Sequence, residues 1–217
     1  MAFDVDLFWS FRSPYSYLAT EPLSEIARDY DVAFNFRPVY PIAVRIDGFF
    51  KTVNPLWPPY VFRDCARLAE MAGMPFRWPK PDPIVQDMTT REVAEDQPYI
   101  HRLTRAGQVA ADQGRGLEFA YEISHLIFGG TLDWHEGDLL SAAAARAGLD
   151  MGALDAAVDA DPQSYDAKIE ANQQALEEAG HWGVPTTVFD GEPFFGQDRI
   201  GLLLWRLNQN GLRARPS

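Results

Sequence analysis

The sequence predicts an α/β fold. The two ends of the chain build one mixed four-stranded sheet, and a large all-helical block is inserted between them. Three patterns predict this. Residues 1–40 carry an apolar alternation, a helical stripe and a second alternation, the order and length of a βαβ unit. Residues 182–217 carry two short β-prone runs about an Asp-Gly turn, then a further helical stripe. Residues 41–181 read as mostly helical.

Phe3, Val5, Leu7 and Trp9 alternate with Asp4, Asp6 and Phe8, which predicts a strand with one apolar face. Ser13 then suits a helix N-cap, and Pro14 suits the first helical position, where a missing N–H costs nothing. Tyr15, Leu18, Ala19, Leu23 and Ile26 fall on one face of that helix. Pro22 inside it predicts a kink or a break. Val32, Phe34 and Phe36 give the second strand. Pro41, Asn54, Pro55, Pro58 and Pro59 predict an extended loop over 41–60. Val61 to Ala72 reads as helix, and Pro75, Pro79, Pro81 and Pro83 break any regular pattern after it. From about Thr90 to Gly180 the pattern is helical with short breaks, and Phe119, Ile123, Leu126 and Ile127 form one apolar stripe. Thr186 to Phe189 and Glu192 to Phe195 read as a hairpin about Asp190-Gly191, with Pro193 favouring a sheet edge. Ile200, Leu203, Leu204 and Leu207 define a last amphipathic helix. Neither end is large enough to fold alone. Residues 1–40 and 182–217 are therefore expected to form one domain, with 41–181 as a helical domain inserted in it. This is the thioredoxin layout, βαβ…ββα, with a helical insertion.

Composition narrows the function. The chain is 47% hydrophobic, enough for a full core. Its net charge of −12 argues against nucleic acid or an anionic membrane as the main partner. One cysteine, Cys65, excludes an internal disulfide and fits a reducing compartment. The N-terminus has no basic region followed by an apolar run, and no apolar stretch is long enough to span a bilayer. A cytoplasmic location is expected. His101, His125, His135 and His181 show no metal spacing, and no Gly-rich phosphate loop is present.

Two short motifs far apart in the chain carry the chemistry. Ser13-Pro14-Tyr15-Ser16 sits at a strand-to-helix turn, and Gly183-Val184-Pro185-Thr186 runs into a strand. A polar group at such a turn, set against a loop with a fixed proline, suits binding a thiol and lowering its pKa. The helix N-terminus supplies partial positive charge and unpaired N–H groups. With serine at both 13 and 16, disulfide exchange is unavailable to this pair. Ser13 alone would also read as a plain N-cap, Pro185 as an ordinary loop proline, and Asp198 as a cap for the last helix.

Phe11 through Ala19 resembles the active-site turn of the 2-hydroxychromene-2-carboxylate isomerases. These belong to the DsbA-like thioredoxin superfamily with the kappa-class glutathione transferases. Gly183 to Thr186 looks like their cis-proline loop, Phe194 to Ile200 like their terminal hairpin-to-helix motif, and Asp64 to Gly73 like their first inserted helix. The resemblance covers essentially the whole chain and is weakest from about 84 to 120.

The resemblance implies glutathione as a regenerated cosubstrate. It places Ser13 as a hydrogen-bond donor to the borrowed thiolate, with Pro14 and Tyr15 beside it. Val184 and a cis Pro185 would hold the backbone of glutathione, and Gln197 and Asp198 its γ-glutamyl end. Lys51 and Asn54 match the family's lysine and asparagine that reach glutathione and substrate. Arg12 departs from the family pattern and suits either a substrate carboxylate or the surface, and Trp57 and Tyr60 suit an aromatic pocket or the core. The implied activity is isomerisation of an aromatic-derived keto acid or its cyclic hemiketal by reversible thiolate addition, in a homodimer. Two alternatives remain open: a kappa-like glutathione transferase, and a glutathione-binding or protein-binding module without chemistry.

Overall fold

The computed structural model describes residues 2–87 and 89–216. Strand β1 (Phe3–Trp9) lies inside a four-stranded sheet in which β2 (Val32–Pro38) flanks one side, and β3 (Thr186–Phe189) and β4 (Glu192–Phe195) the other. β1 runs parallel to β2, from Phe3 opposite Val32 to Trp9 opposite Pro38. It runs antiparallel to β3, with Leu7 opposite Thr187. β4 is the edge strand, and Pro193 sits on it opposite Val188, where its missing N–H interrupts no central ladder. Parallel neighbours need a crossover, and helix α1 (Pro14–Asp29) supplies it.

Val5, Leu7 and Trp9 are fully buried, as the alternation predicts. Phe8, on the opposite face, is buried too, in a small cluster with Val39 and Leu176. The sheet is therefore covered on both faces at this end, whereas Asp4 lower on the same face is exposed. Helix α1 runs through Pro22 without a break. A mid-helix proline costs about 3 kcal/mol. Leu18, Leu23 and Ile26 are buried in the same helix, each contributing about 1.5–3 kcal/mol, and together outweigh it.

The segment expected as an extended loop over 41–60 contains two single turns, α2 (Ile42–Arg45) and α3 (Phe49–Thr52). Helix α4 (Trp57–Ala72) starts a turn earlier than its apolar periodicity suggests. Pro58 and Pro59 fall in its first turn, where no intrahelical N–H is needed. The rest of the insertion is α5 (Pro98–Asp112), α6 (Gly116–Phe128), α7 (Leu139–Arg146), α8 (Met151–Ala160) and α9 (Pro162–Glu178). After β4 come a 3₁₀ turn, Gln197–Arg199, and α10 (Ile200–Gln209). Among the described residues no helix is long and apolar enough to cross a membrane.

Two glycines let the insertion close on the sheet. A Cβ on Gly107 of α5 would lie 2.6 Å from the Phe11 ring, and one on Gly116 of α6 would lie 2.5 Å from Phe36. Phe11 also meets Phe119 edge-on, with centroids 5.7 Å apart. The residue two before Ser13 is thus locked into the core by helices that come from the insertion.

Candidate active site

The turn after β1 is fixed from both sides. Phe11 is fully buried, and the Ser13 N–H donates to the Ser10 carbonyl at 3.1 Å. Ser13 has extended backbone angles, and its Oγ accepts the Ser16 N–H at 3.1 Å, the geometry of a helix N-cap. The same Oγ donates to the Val184 carbonyl at 3.2 Å. One hydroxyl thus ties the start of α1 to a residue at the far end of the chain. No acidic side chain occupies the first turn of α1, so the positive end of its dipole is not offset there.

The Val184–Pro185 peptide is cis, as the resemblance implies; so is Lys80–Pro81. The loop around Val184 is braced by short bonds. Thr186 Oγ1 donates to the Gly183 carbonyl at 2.8 Å, and the Gly196 N–H donates to the Pro185 carbonyl at 2.9 Å. The Val184 side chain packs on the Phe8 cluster. Among the described residues its N–H has no partner, nor has that of Tyr15.

Residues 4–208 match the DSBA-like thioredoxin domain family. The chain belongs to that family. As a DSBA-like thioredoxin domain it carries serine, Ser13 and Ser16, at both ends of the four-residue turn that opens α1. A solved 2-hydroxychromene-2-carboxylate isomerase superposes with a TM-score of 0.70 at 20% identity, over 95% of each chain. A probable DsbA oxidoreductase from Streptomyces coelicolor gives 0.65 at 18% identity, over 95% of this chain and 89% of that one. The cytosolic disulfide reductase DsbM from Pseudomonas aeruginosa, solved with GSH, gives 0.56 at 15% identity, over 94% and 99%. No curated protein matches the chain. At these identities the likeness shows the fold.

The expected residues of this DSBA-like domain divide by their place around the Ser13 turn. Ser13, Pro14, Tyr15, Val184 and Pro185 come together at the turn and the loop facing it. Gln197 and Asp198 lie in the 3₁₀ turn that packs against α1, directly after Gly196. Asp198 does not cap a helix with its side chain; Oδ2 takes Arg199 Nη1 at 2.7 Å. Lys51 and Asn54 are exposed and already engaged. Lys51 pairs with Glu92 at 2.9 Å, and Asn54 Oδ1 accepts the Leu56 N–H at 3.0 Å. Trp57 and Tyr60 are exposed on α4 and do not form a closed pocket.

Arg12 is held by a partner that the sequence did not reveal. Its Nε and Nη2 each donate to one oxygen of Asp82 at 2.9 Å. Asp82 also accepts from Trp78 Nε1 at 3.2 Å and the Ile84 N–H at 3.1 Å. The guanidinium carbon stands 5.3 Å from the Phe50 ring centroid and 5.6 Å from that of Trp78. The Arg12 fork that would take a substrate carboxylate is therefore filled by Asp82. It fastens the proline-rich loop and the α3 turn beside Ser13.

Tyr15 donates to Asp64 Oδ2 at 2.8 Å. Burial, then the Asp64 bond, pushes its pKa far above the ordinary phenol value. Cys65, fully buried next to Asp64, has its thiol pushed up to about 12, chiefly by burial. It is a small core hydrophobe, held neutral. The Ser13 hydroxyl, the Tyr15 N–H and the helix dipole suit an anionic sulfur, and the Val184 N–H, a donor, and C=O, an acceptor, suit an extended backbone. Glutathione offers both features.

Proposed function

We propose that this DSBA-like domain is a glutathione-dependent isomerase acting on an aromatic-derived keto acid or its cyclic hemiketal. The observation that carries the reading is the bond from Ser13 Oγ to the Val184 carbonyl at a capped helix N-terminus that bears serine at both 13 and 16. The fold of a 2-hydroxychromene-2-carboxylate isomerase and the GSH-bound DsbM of the same fold support it.

Bound there, glutathione supplies a thiolate that adds reversibly to a conjugated carbon of the keto acid and leaves again unchanged. The protein's residues do the rest. The Ser13 hydroxyl hydrogen rotates from the Val184 carbonyl to the sulfur. That single rotation gives the thiolate a donor and frees the carbonyl for a backbone N–H of glutathione. The Tyr15 N–H and the α1 dipole add partial positive charge, which favours the thiolate over the thiol at neutral pH. Val184 would hold the glutathione backbone as a short strand addition. Gln197 and Asp198 would meet its ammonium end, Asp198 by a charge-assisted bond.

The test is a panel of hydroxychromene and benzylidenepyruvate substrates assayed with and without glutathione. Turnover that requires glutathione and returns it unchanged supports the isomerase. A stable conjugate overturns it in favour of a transferase, and binding without turnover in favour of a non-catalytic module.

A further inference from the structure

Beside the Ser13 turn stands a braced and exposed stack of rings that the proposed chemistry leaves unused. The His181 and Phe195 rings lie 4.0 Å apart at 22°, and those of His181 and Trp182 lie 5.3 Å apart at 17°. Trp182 is 55% exposed and Phe195 42%. Neither ring is a loose surface side chain. Arg45, a half-buried arginine, donates from Nη2 to the Trp182 carbonyl at 2.8 Å and from Nε to the Tyr40 carbonyl at 2.9 Å. The Gly183 N–H donates to His181 Nδ1 at 2.9 Å. Phe195 covers Gly183 so closely that a Cβ there would meet Phe195 Cε2 at 2.6 Å.

The stack is continuous with the site. Gly183, under the Phe195 ring, immediately precedes Val184, whose carbonyl takes the Ser13 hydroxyl. A rigid aromatic surface left in water beside a reactive turn marks a binding surface. Its size selects the occupant. An aromatic side chain buries about 150–250 Å² when fully covered, so two half-exposed rings offer roughly 200 Å². A stable protein partner needs about 800 Å² per side. The two rings alone supply about a quarter of that, a size that matches a small planar molecule. Planar rings stack best on planar, conjugated groups.

We propose that Trp182, His181 and Phe195 form the subsite for the flat conjugated part of the acceptor that receives the thiolate. The role of the acceptor rests on the proposed function; the affinity for a flat ligand does not. Because Nδ1 of neutral His181 accepts from Gly183, the hydrogen sits on Nε2. Among the described residues that nitrogen has no partner, which leaves it to donate to an acceptor oxygen.

The test is calorimetric titration of the full chain with naphthoate, an unreactive flat carboxylate. Cyclohexanecarboxylate is the non-planar control, and glutathione is titrated separately. Naphthoate is expected to bind the wild type more tightly than cyclohexanecarboxylate. Trp182→Ala and Phe195→Ala are expected to weaken naphthoate about tenfold, the loss of one good ring contact. Glutathione affinity is expected to stay within about twofold, and Trp182→Phe to restore most of the naphthoate affinity. The subsite is overturned if naphthoate fails to bind the wild type or binds no better than cyclohexanecarboxylate. It is overturned too if the variants leave naphthoate affinity unchanged, or weaken glutathione as much. A variant that turns an oligomer into a monomer by sedimentation also overturns it, since the rings would then be an interface. If naphthoate behaves as expected and glutathione does not bind, the subsite stands and the glutathione reading falls.

Discussion

Ser13 performs two separable tasks, and substitution can divide them. As an N-cap it accepts the Ser16 N–H, and as a donor it reaches Val184. Ser13→Ala removes both; it should cost about 1 kcal/mol of stability and most of the turnover. Ser13→Gly costs a cap only a few tenths of a kcal/mol, about one third of the alanine loss, yet lacks the hydroxyl equally. Urea unfolding should therefore rank glycine above alanine, while assays find that both have lost most of the turnover. Activity in either variant near the wild-type level would remove Ser13 from the chemistry. A second prediction concerns Asp82, whose carboxylate accepts from Arg12, Trp78 and the Ile84 N–H. Asp82→Asn turns one acceptor oxygen into a donor facing other donors. It should cost about 2 kcal/mol, the scale of a charged hydrogen bond. In a double-mutant cycle with Arg12→Met, most of that loss should vanish once Arg12 is gone. Additive losses would mean that the two residues are not coupled.

Elements were legible in the sequence unevenly, and the reasons are physical. β1 could be read because Val5, Leu7 and Trp9 alternate with Asp4 and Asp6. Its burial at Phe8 could not, because a helix far along the chain, bearing Leu176, covers it. The two single turns in 41–60 were hidden because one helical turn has no periodicity to read. The same contrast holds for the site. Ser13 and Val184 could be read from local motifs. Trp78 and Asp82 come in on a loop, Phe50 on the single turn α3 and Phe195 at the end of β4, and nothing in their spacing signals that meeting. Gly107 shows how an element-scale constraint hides in a single residue. In a helix interior, glycine to alanine ordinarily gains about 1 kcal/mol. At Gly107 the new methyl would press on Phe11, which is fully buried and cannot retreat. Overpacking costs about 1–3 kcal/mol and reverses the sign. Gly107→Ala should lower the unfolding midpoint, and the displaced Phe11 should also reduce activity through the Ser13 turn. A stabilised, fully active variant would show that α5 does not press on that turn.

At the scale of the whole molecule, several weak acids are held neutral by the fold, and they set its alkaline limit. Cys65 is pushed up to about 12 by burial and then by the Asp64 charge. Tyr17 is pushed up to about 12 by burial and then by Glu21, and Tyr121 likewise by burial and its bond to Glu21. Tyr15 and Tyr40 move further in the same direction, by burial and then by their bonds to Asp64 and Asp166. In the unfolded chain these groups ionise near their ordinary values, about 8.5 for cysteine and about 10 for tyrosine. A group whose folded pKa is raised gives stability that is fully present below the unfolded value. That stability is lost as pH rises through the folded one. The loss should therefore begin near pH 8.5 with Cys65 and steepen above about 10 as the tyrosines join. The net charge of −12 grows more negative over the same range, and its self-repulsion adds to the loss. Two measurements separate the contributions. Urea midpoints should fall steadily over this window at constant slope, and Cys65→Ala should flatten only its first part. Phenolate absorbance of the folded protein should show the signal from these four tyrosines arriving late, with unfolding. Their ionisation near 10 in a chain that is still folded would break the link between this buried set and stability.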